Sequence, residues 1–146
     1  MKKTRKVTRV KLQIDQVNDF ILFGLVSSEA DYKLSLALNK KFGISLKNIS
    51  PVALNGENGT ELIFSRFSDT SGSPEKLFNL VSNRSGKHFL IRKLRNVDYI
   101  LHIHDSDDNN NLGRIISNLR EITTITAVFN IDIDTIKDKN LHLVIQ

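Results

Sequence analysis

Two histidines near the middle of the chain are the residues whose type and spacing come closest to a chemical site. His102 and His104 stand two positions apart in the segment VDYILHIH. On a β-strand, residues two apart point the same way, with Cα atoms about 6.6 Å apart. Asp98 shares that face in the alternating pattern. Neutral imidazoles and a carboxylate are ligands that zinc accepts, so these three residues predict a candidate metal site.

The histidine pair also has an ordinary structural interpretation. Both side chains can be polar residues at a solvent-facing strand end, because two histidines alone do not fix a third ligand. His88 and His142 supply one only if the fold brings them near. The structural interpretation is favoured, and a metal-dependent enzyme or sensor is kept as the alternative.

A second candidate site is the basic segment that precedes this strand. Residues 76–97 carry six basic and no acidic residues, as do residues 1–11, whereas the rest of the chain is net acidic. The net charge of +5 therefore comes from two local patches. Basic side chains neutralise phosphates, and they also dock acidic proteins. The candidate nucleic-acid or partner contacts are Arg84, Lys87, Arg92, Lys93 and Arg95.

The same basic segment fits an ordinary solvated loop. Phe89 could stack on a base, as aromatic residues do on RNA-binding surfaces. It also belongs, with Leu90, Ile91 and Leu94, to a set that predicts anchors in the core. The solvated loop is the simpler interpretation of the two.

Composition excludes several classes of function. The 146 residues are 40% hydrophobic and 25% charged, which fits one folded domain over 1–146, with residues 1–6 as a flexible basic arm. The absence of cysteine excludes disulfides, thiolate metal clusters and a cysteine nucleophile. The sequence contains no P-loop, dinucleotide fingerprint, nucleophile elbow or HExxH motif. A non-enzymatic role without a cofactor is favoured.

Location is predicted from the N-terminal segment and the longest apolar run. The basic start MKKTRKVTRVKLQ is not followed by the apolar stretch of a signal peptide. The run FILFGLV is far shorter than the roughly 20 residues that a membrane helix requires. A cytoplasmic protein without membrane contact is expected.

Hydrophobic periodicity predicts the elements that must position these residues. Alternation or short apolar runs predict strands at 8–14, 20–26, 62–67, 77–82, 97–103 and 125–133. The first two are expected to form one hairpin, and the third and fourth another. Helical spacing predicts helices at 29–42 and 112–122. Residues 44–55 are left unassigned.

Several details of these elements are also predicted. Ser28 is expected to cap the first helix and Gly43 to end it, and Asp108 or Asn109 to cap the second. Tyr32 and Tyr99 are expected in the core, each with a partner for its hydroxyl. Near the C-terminus, Asp134 could cap a short helix, while LHLVI alternates like a final strand.

The order β-β-α-β-β-β-α-β predicts an α+β fold, in which a largely antiparallel sheet of five to seven strands packs against two main helices. Profilin-like and longin-like sandwiches share much of this order. Such scaffolds carry ligand sensors, adaptors and enzymes alike, so the fold alone does not decide function.

Four segments carry a family resemblance: NVDY at 96–99, DFILFGLVSS at 19–28, DYKLSLALNKKFG at 31–43 and LFNLVSNRSG at 77–86. In them the chain resembles the IPExxxVDY family, small bacterial proteins of the Bacteroidetes type. The Pro and Glu of the family motif are replaced here by Arg92 and Lys93. The resemblance implies a bacterial cytoplasmic domain and brings no activity or ligand.

Taken together, these patterns predict a cytoplasmic binding or adaptor module that contacts protein or RNA through its basic surfaces. The alternative is the metal-dependent enzyme or sensor that uses His102 and His104.

Overall fold

A computed structural model describes residues 20–69, 76–105 and 112–145. The strands are β1 Phe20–Val26, β2 Lys47–Asn55, β3 Glu61–Asp69, β4 Lys76–Ser82, β5 Arg84–Ser85, β6 His88–Phe89, β7 Tyr99–Asp105 and β8 Ala127–Asn130. The helices are α1 Asp31–Phe42, α2 Leu112–Arg120, α3 Ile133–Ile136 and α4 Leu141–Val144, with a 3₁₀ turn at Glu57–Gly59.

Six of these strands form one antiparallel sheet in the order β2-β3-β4-β7-β1-β8, and β5 and β6 form a small separate hairpin. The predicted α+β class, with two main helices, is confirmed. The predicted pairing of β3 with β4 is also confirmed. The strand predicted at 8–14, its hairpin with β1, the basic patch at 1–11 and the arm at 1–6 lie outside the described residues.

The two faces of the sheet belong to two separate cores. Alternation along β7 sends Leu101 and Ile103 to one face, where they pack with buried leucines of α1 and α2. The other face of β7 carries Ile100, which packs with Leu90 and Ile91 of the segment before β7. α3 and α4 cover that same face. The basic segment and the C-terminal turns therefore lie on one side of the sheet, and the two main helices on the other.

Helix α1 begins later than predicted. Ala30 stands at its N-cap without a side-chain hydrogen bond, so the predicted Ser28 cap is wrong. Gly43 does end the helix in the left-handed conformation, with φ 65°. Tyr32 and Leu36 are 55% and 62% exposed, so the prediction of a core position for Tyr32 is wrong.

The stretch left unassigned contains the edge strand β2. Pro51 lies between Ile49 and Val52, where the register with β3 shifts. Proline has no N–H to donate, so it is tolerated at an edge strand or a bulge but not in a central strand. The exposed, polar character of β2 hid it from the alternation rule, since Val52 is its one buried residue.

The C-terminal third departs most from prediction. The strand expected over 125–133 ends at Asn130, after which Ile131 turns to the second core and donates its N–H to Leu22. Asp132, rather than Asp134, caps the short helix α3, since its side chain accepts from the Asp134 N–H at 3.0 Å. The predicted strand LHLVI is wrong, because this segment forms the helical turn α4.

None of the helices in the described part of the chain is long and apolar enough to cross a membrane.

Candidate functional site: the basic loop and its groove

The basic loop, residues 84–95, is held in place by the side chain of Asn83. This amide is fully buried, and its Nδ2 donates to the carbonyls of Leu94 at 2.8 Å and Val97 at 3.0 Å. Its Oδ1 accepts the N–H of Ile91 at 2.8 Å. The Asn83 carbonyl also accepts from Leu90 at 2.9 Å. One residue therefore ties three points along the loop to the end of β4.

Apolar anchors complete the fixing of the basic loop. Leu90 and Ile91 are fully buried in the second core, as the sequence predicted, and Phe89 and Leu94 are half-buried. With the backbone held from both sides, the charged side chains between these anchors are turned outward. Lys87, Arg92 and Arg95 are all exposed.

Two of the five predicted contact residues hold the structure together. The Arg84 Nε lies 2.9 Å from Asp98 Oδ1, and its guanidinium lies 5.1 Å from the centre of the Phe89 ring. The Lys93 ammonium donates to the carbonyl of Ile136 at 2.7 Å, which joins the basic loop to α3. These two cations are partly committed to the fold.

The other three predicted contacts surround one hollow. Lys87, Arg92 and Arg95 line a concavity of about 330 Å³ together with His88 and Phe89. Within the described ranges, none of these three side chains has a hydrogen bond or an ion pair. They form a set of uncompensated positive charges on a fixed backbone.

A larger groove of about 680 Å³ adjoins this hollow. Three segments line it: the end of β2 with the turn after it, the basic loop, and the turn between α3 and α4. The last of these brings in Lys137 and Lys139, which are both exposed. Sequence analysis missed these lysines, since they lie in a stretch whose net charge is negative.

The turn between α3 and α4 is bonded to the basic loop. The Asn140 Nδ2 donates to the carbonyl of Leu90 at 2.8 Å. Asp138 Oδ1 accepts the N–H of Asn140 at 2.8 Å, so this groove carboxylate already has a backbone partner. The two walls of the groove are therefore joined directly, here and through Lys93.

The histidine pair is not at a solvent-facing strand end. His102 is only 3% exposed, so that interpretation is wrong for it, and His104 is half-buried. Asn79 Nδ2 lies 3.1 Å from His102 Nδ1, and the Phe20 ring meets the imidazole edge-on at 5.2 Å. Burial, together with the nearby charge of His104, lowers the pKa of His102 to about 4.

Asp98 does not join the histidines. Its Oδ2 accepts the N–H of Ser27 at 2.9 Å, and its Oδ1 pairs with Arg84. In the ranges that the structure covers, no group of three or more His, Cys, Asp or Glu side chains is close enough to hold a metal ion. The three residues predicted as metal ligands are thus not brought together.

The residues VDY at 97–99 each hold β1 or the loop after it. Val97 packs so closely on Gly24 that a Cβ there would lie 2.8 Å from Val97 Cγ2. The Tyr99 hydroxyl donates to the carbonyl of Glu29 at 2.6 Å, which confirms its predicted core position with a partner. Burial and the nearby carboxylates of Asp31, Asp98 and Glu29 raise the pKa of Tyr99 to about 12. These residues have structural roles.

Comparison with known proteins does not assign the chain to a family. No family model matches the sequence, and no curated protein matches it. The resemblance to the IPExxxVDY family stays a prediction, and function has to be argued from the geometry of the basic loop.

Proposed function

We propose that this chain is a non-enzymatic binding module whose basic loop contacts the phosphate backbone of RNA. The observation that carries the proposal is the set of three exposed cations, Lys87, Arg92 and Arg95, around one hollow. A cytoplasmic location belongs to the same proposal.

Fixation of the loop favours binding. A flexible loop loses conformational entropy when its side chains are immobilised by a partner, which weakens the complex. Here Asn83, Leu90 and Ile91 already hold the backbone. The remaining cost falls on the long side chains themselves.

The chemistry of the exposed groups favours phosphate as the ligand. Arginine presents a planar fork of N–H donors that fits phosphate oxygens in pairs, and contacts to a polyanion release condensed counterions. An acidic protein surface is the competing partner, because carboxylates also pair with guanidinium groups. The metal-dependent alternative has less support, because His102 is buried against Asn79 and Asp98 is bonded elsewhere.

The test compares two matched double variants in binding to a fluorescent single-stranded RNA of mixed sequence. Arg92→Gln with Arg95→Gln removes two charges from the basic loop, and Arg114→Gln with Arg120→Gln removes two exposed charges from α2, across the sheet. We expect the loop variant to bind about tenfold more weakly than the parent. The α2 variant is expected to bind like the parent.

Two outcomes contradict the proposal. One is that the parent binds no RNA at low salt, and the other is that both variants lose affinity equally. Capture of an acidic protein that depends on Arg92 and Arg95, without RNA binding, would replace RNA by a protein partner.

A further inference from the structure

We infer that the 680 Å³ groove beside the basic loop seats a phosphorylated nucleoside unit of single-stranded RNA. The phosphates lie against Arg92, Lys137 and Lys139, and a base lies against the apolar wall of the groove. This inference rests on the proposed function and specifies the site and the form of RNA.

Charge in the groove favours an anion. Arg92, Lys137 and Lys139 are exposed, and within the described ranges their side chains have no hydrogen bond or ion pair. The acidic residues of the groove are Glu57 and Asp138. Asp138 already accepts a backbone N–H through Oδ1. The free positive groups therefore exceed the free negative ones on the two facing walls.

The apolar part of the groove favours a nucleobase over a simple anion. Leu54, Leu62 and Phe89 line the groove and are each half-buried. The guanidinium of Arg84 lies over the Phe89 ring, which places a cation beside this aromatic wall. Single-stranded bases bind by stacking on aromatic and guanidinium planes while cations hold the backbone. An inorganic anion would have no use for this wall.

Groove size and shape favour single strands. Its volume lies within the range of roughly 300–1,000 Å³ that is common for small-ligand sites. A base within a duplex has both faces covered by its neighbours, so it cannot lie against Phe89. An unpaired base can turn out of the strand and enter the groove.

The backbone at Lys137 offers a way to separate charge from folding. This residue has φ 47°, the left-handed conformation in which glycine is favoured over residues with a side chain. Lys137→Gly removes the ammonium group and relieves the backbone at the same time. A loss of RNA binding in this variant could not be explained by a weakened fold.

The experiment measures binding of single-stranded RNA to a double variant, Lys137→Gly with Lys139→Gln. The matched control is Lys33→Gln with Lys40→Gln, two exposed lysines on α1. We expect about a tenfold loss of affinity in the groove variant and less than twofold in the control. Its thermal midpoint should equal or exceed that of the parent.

Two further ligands distinguish the form of RNA that is bound. A duplex of the same sequence is expected to bind the parent more weakly than the single strand. A free nucleotide is expected to compete only at a much higher concentration, because it offers one unit instead of many.

Failure of this inference differs from failure of the proposed function. If RNA binding depends on Arg92 and Arg95 but the groove variant binds like its control, the groove is not the seat and the proposed function stands. Equal binding of duplex and single strand also overturns the inference. If the parent binds no RNA while a free nucleotide binds in the groove, the RNA source is wrong.

Discussion

At the scale of single residues, Asn83 has the largest structural effect on the candidate site. It is fully buried and makes three side-chain hydrogen bonds to the backbone of the basic loop and its end. Loss of one partner leaves a buried polar group unsatisfied, which costs about 1–3 kcal/mol for each group. The loop that carries the cations therefore depends on an uncharged residue.

Substitution of Asn83 tests this dependence. Asn83→Ala should lower the free energy of unfolding by about 3 kcal/mol or more, because three buried backbone groups lose their partner. Urea unfolding monitored by circular dichroism measures the change. The matched control is Asn48→Ala, an exposed residue of β2, with an expected effect below about 0.5 kcal/mol. Equal shifts in both variants would show that Asn83 does not hold the loop.

A second prediction at this scale concerns His102 and pH. The pKa of His102 is lowered from 6.5 to about 4 in the folded chain, so the unfolded chain binds the proton more readily. The stability from the neutral imidazole is complete above about pH 6.5, and it is lost as the pH falls towards 4. The difference corresponds to about 3 kcal/mol.

The measurement is the free energy of unfolding of the parent and of His102→Gln at pH 7.0, 5.5 and 4.5. Glutamine does not titrate in this range and keeps polar atoms beside Asn79. We expect the parent to lose more stability than the variant over this interval. Parallel pH dependences in the two proteins would contradict the assigned burial of a neutral imidazole.

At the scale of elements, strong periodicity predicted well and tertiary contacts explain the failures. Helix α1, its end at Gly43 and the pairing of β3 with β4 all follow from local pattern. β2 could not be found, because an exposed edge strand with Pro51 at a bulge has little alternation. The segment after β8 alternates like a strand, yet Ile131 is drawn into the second core and the strand ends.

Close contact between β1 and Val97 gives a prediction for an element. Gly24→Ala would place a Cβ 2.8 Å from Val97 Cγ2, and buried, branched Val97 has little room to move. We expect a loss of about 1–3 kcal/mol in the free energy of unfolding. Gly113→Ala in α2 meets nothing within 4 Å, so the same substitution should be neutral or gain about 0.5–1 kcal/mol.

Thermal and urea unfolding of these two variants compare them directly. A stable Gly24→Ala protein would mean that the contact between β1 and the VDY residues is looser than the structure has it.

At the scale of the whole molecule, topology brings together charges that the linear sequence separates. Sequence analysis identified Lys87, Arg92 and Arg95 correctly as exposed cations on one loop. It could not find Lys137 and Lys139, since their approach depends on how α3 and α4 fold back over the sheet. It also grouped Asp98 with the histidines by alternation alone, whereas Asp98 bonds to Ser27 and Arg84 at the start of β7.

The salt dependence of RNA binding tests the central claim most directly. For the parent, the logarithm of the binding constant should fall linearly with the logarithm of salt concentration. In the Arg92→Gln, Arg95→Gln variant the slope should decrease by about 1.4, or about 0.7 for each lost phosphate contact with a single strand. The Arg114→Gln, Arg120→Gln variant should keep the parental slope. Equal slopes in all three proteins, or no binding by the parent at low salt, would contradict the account.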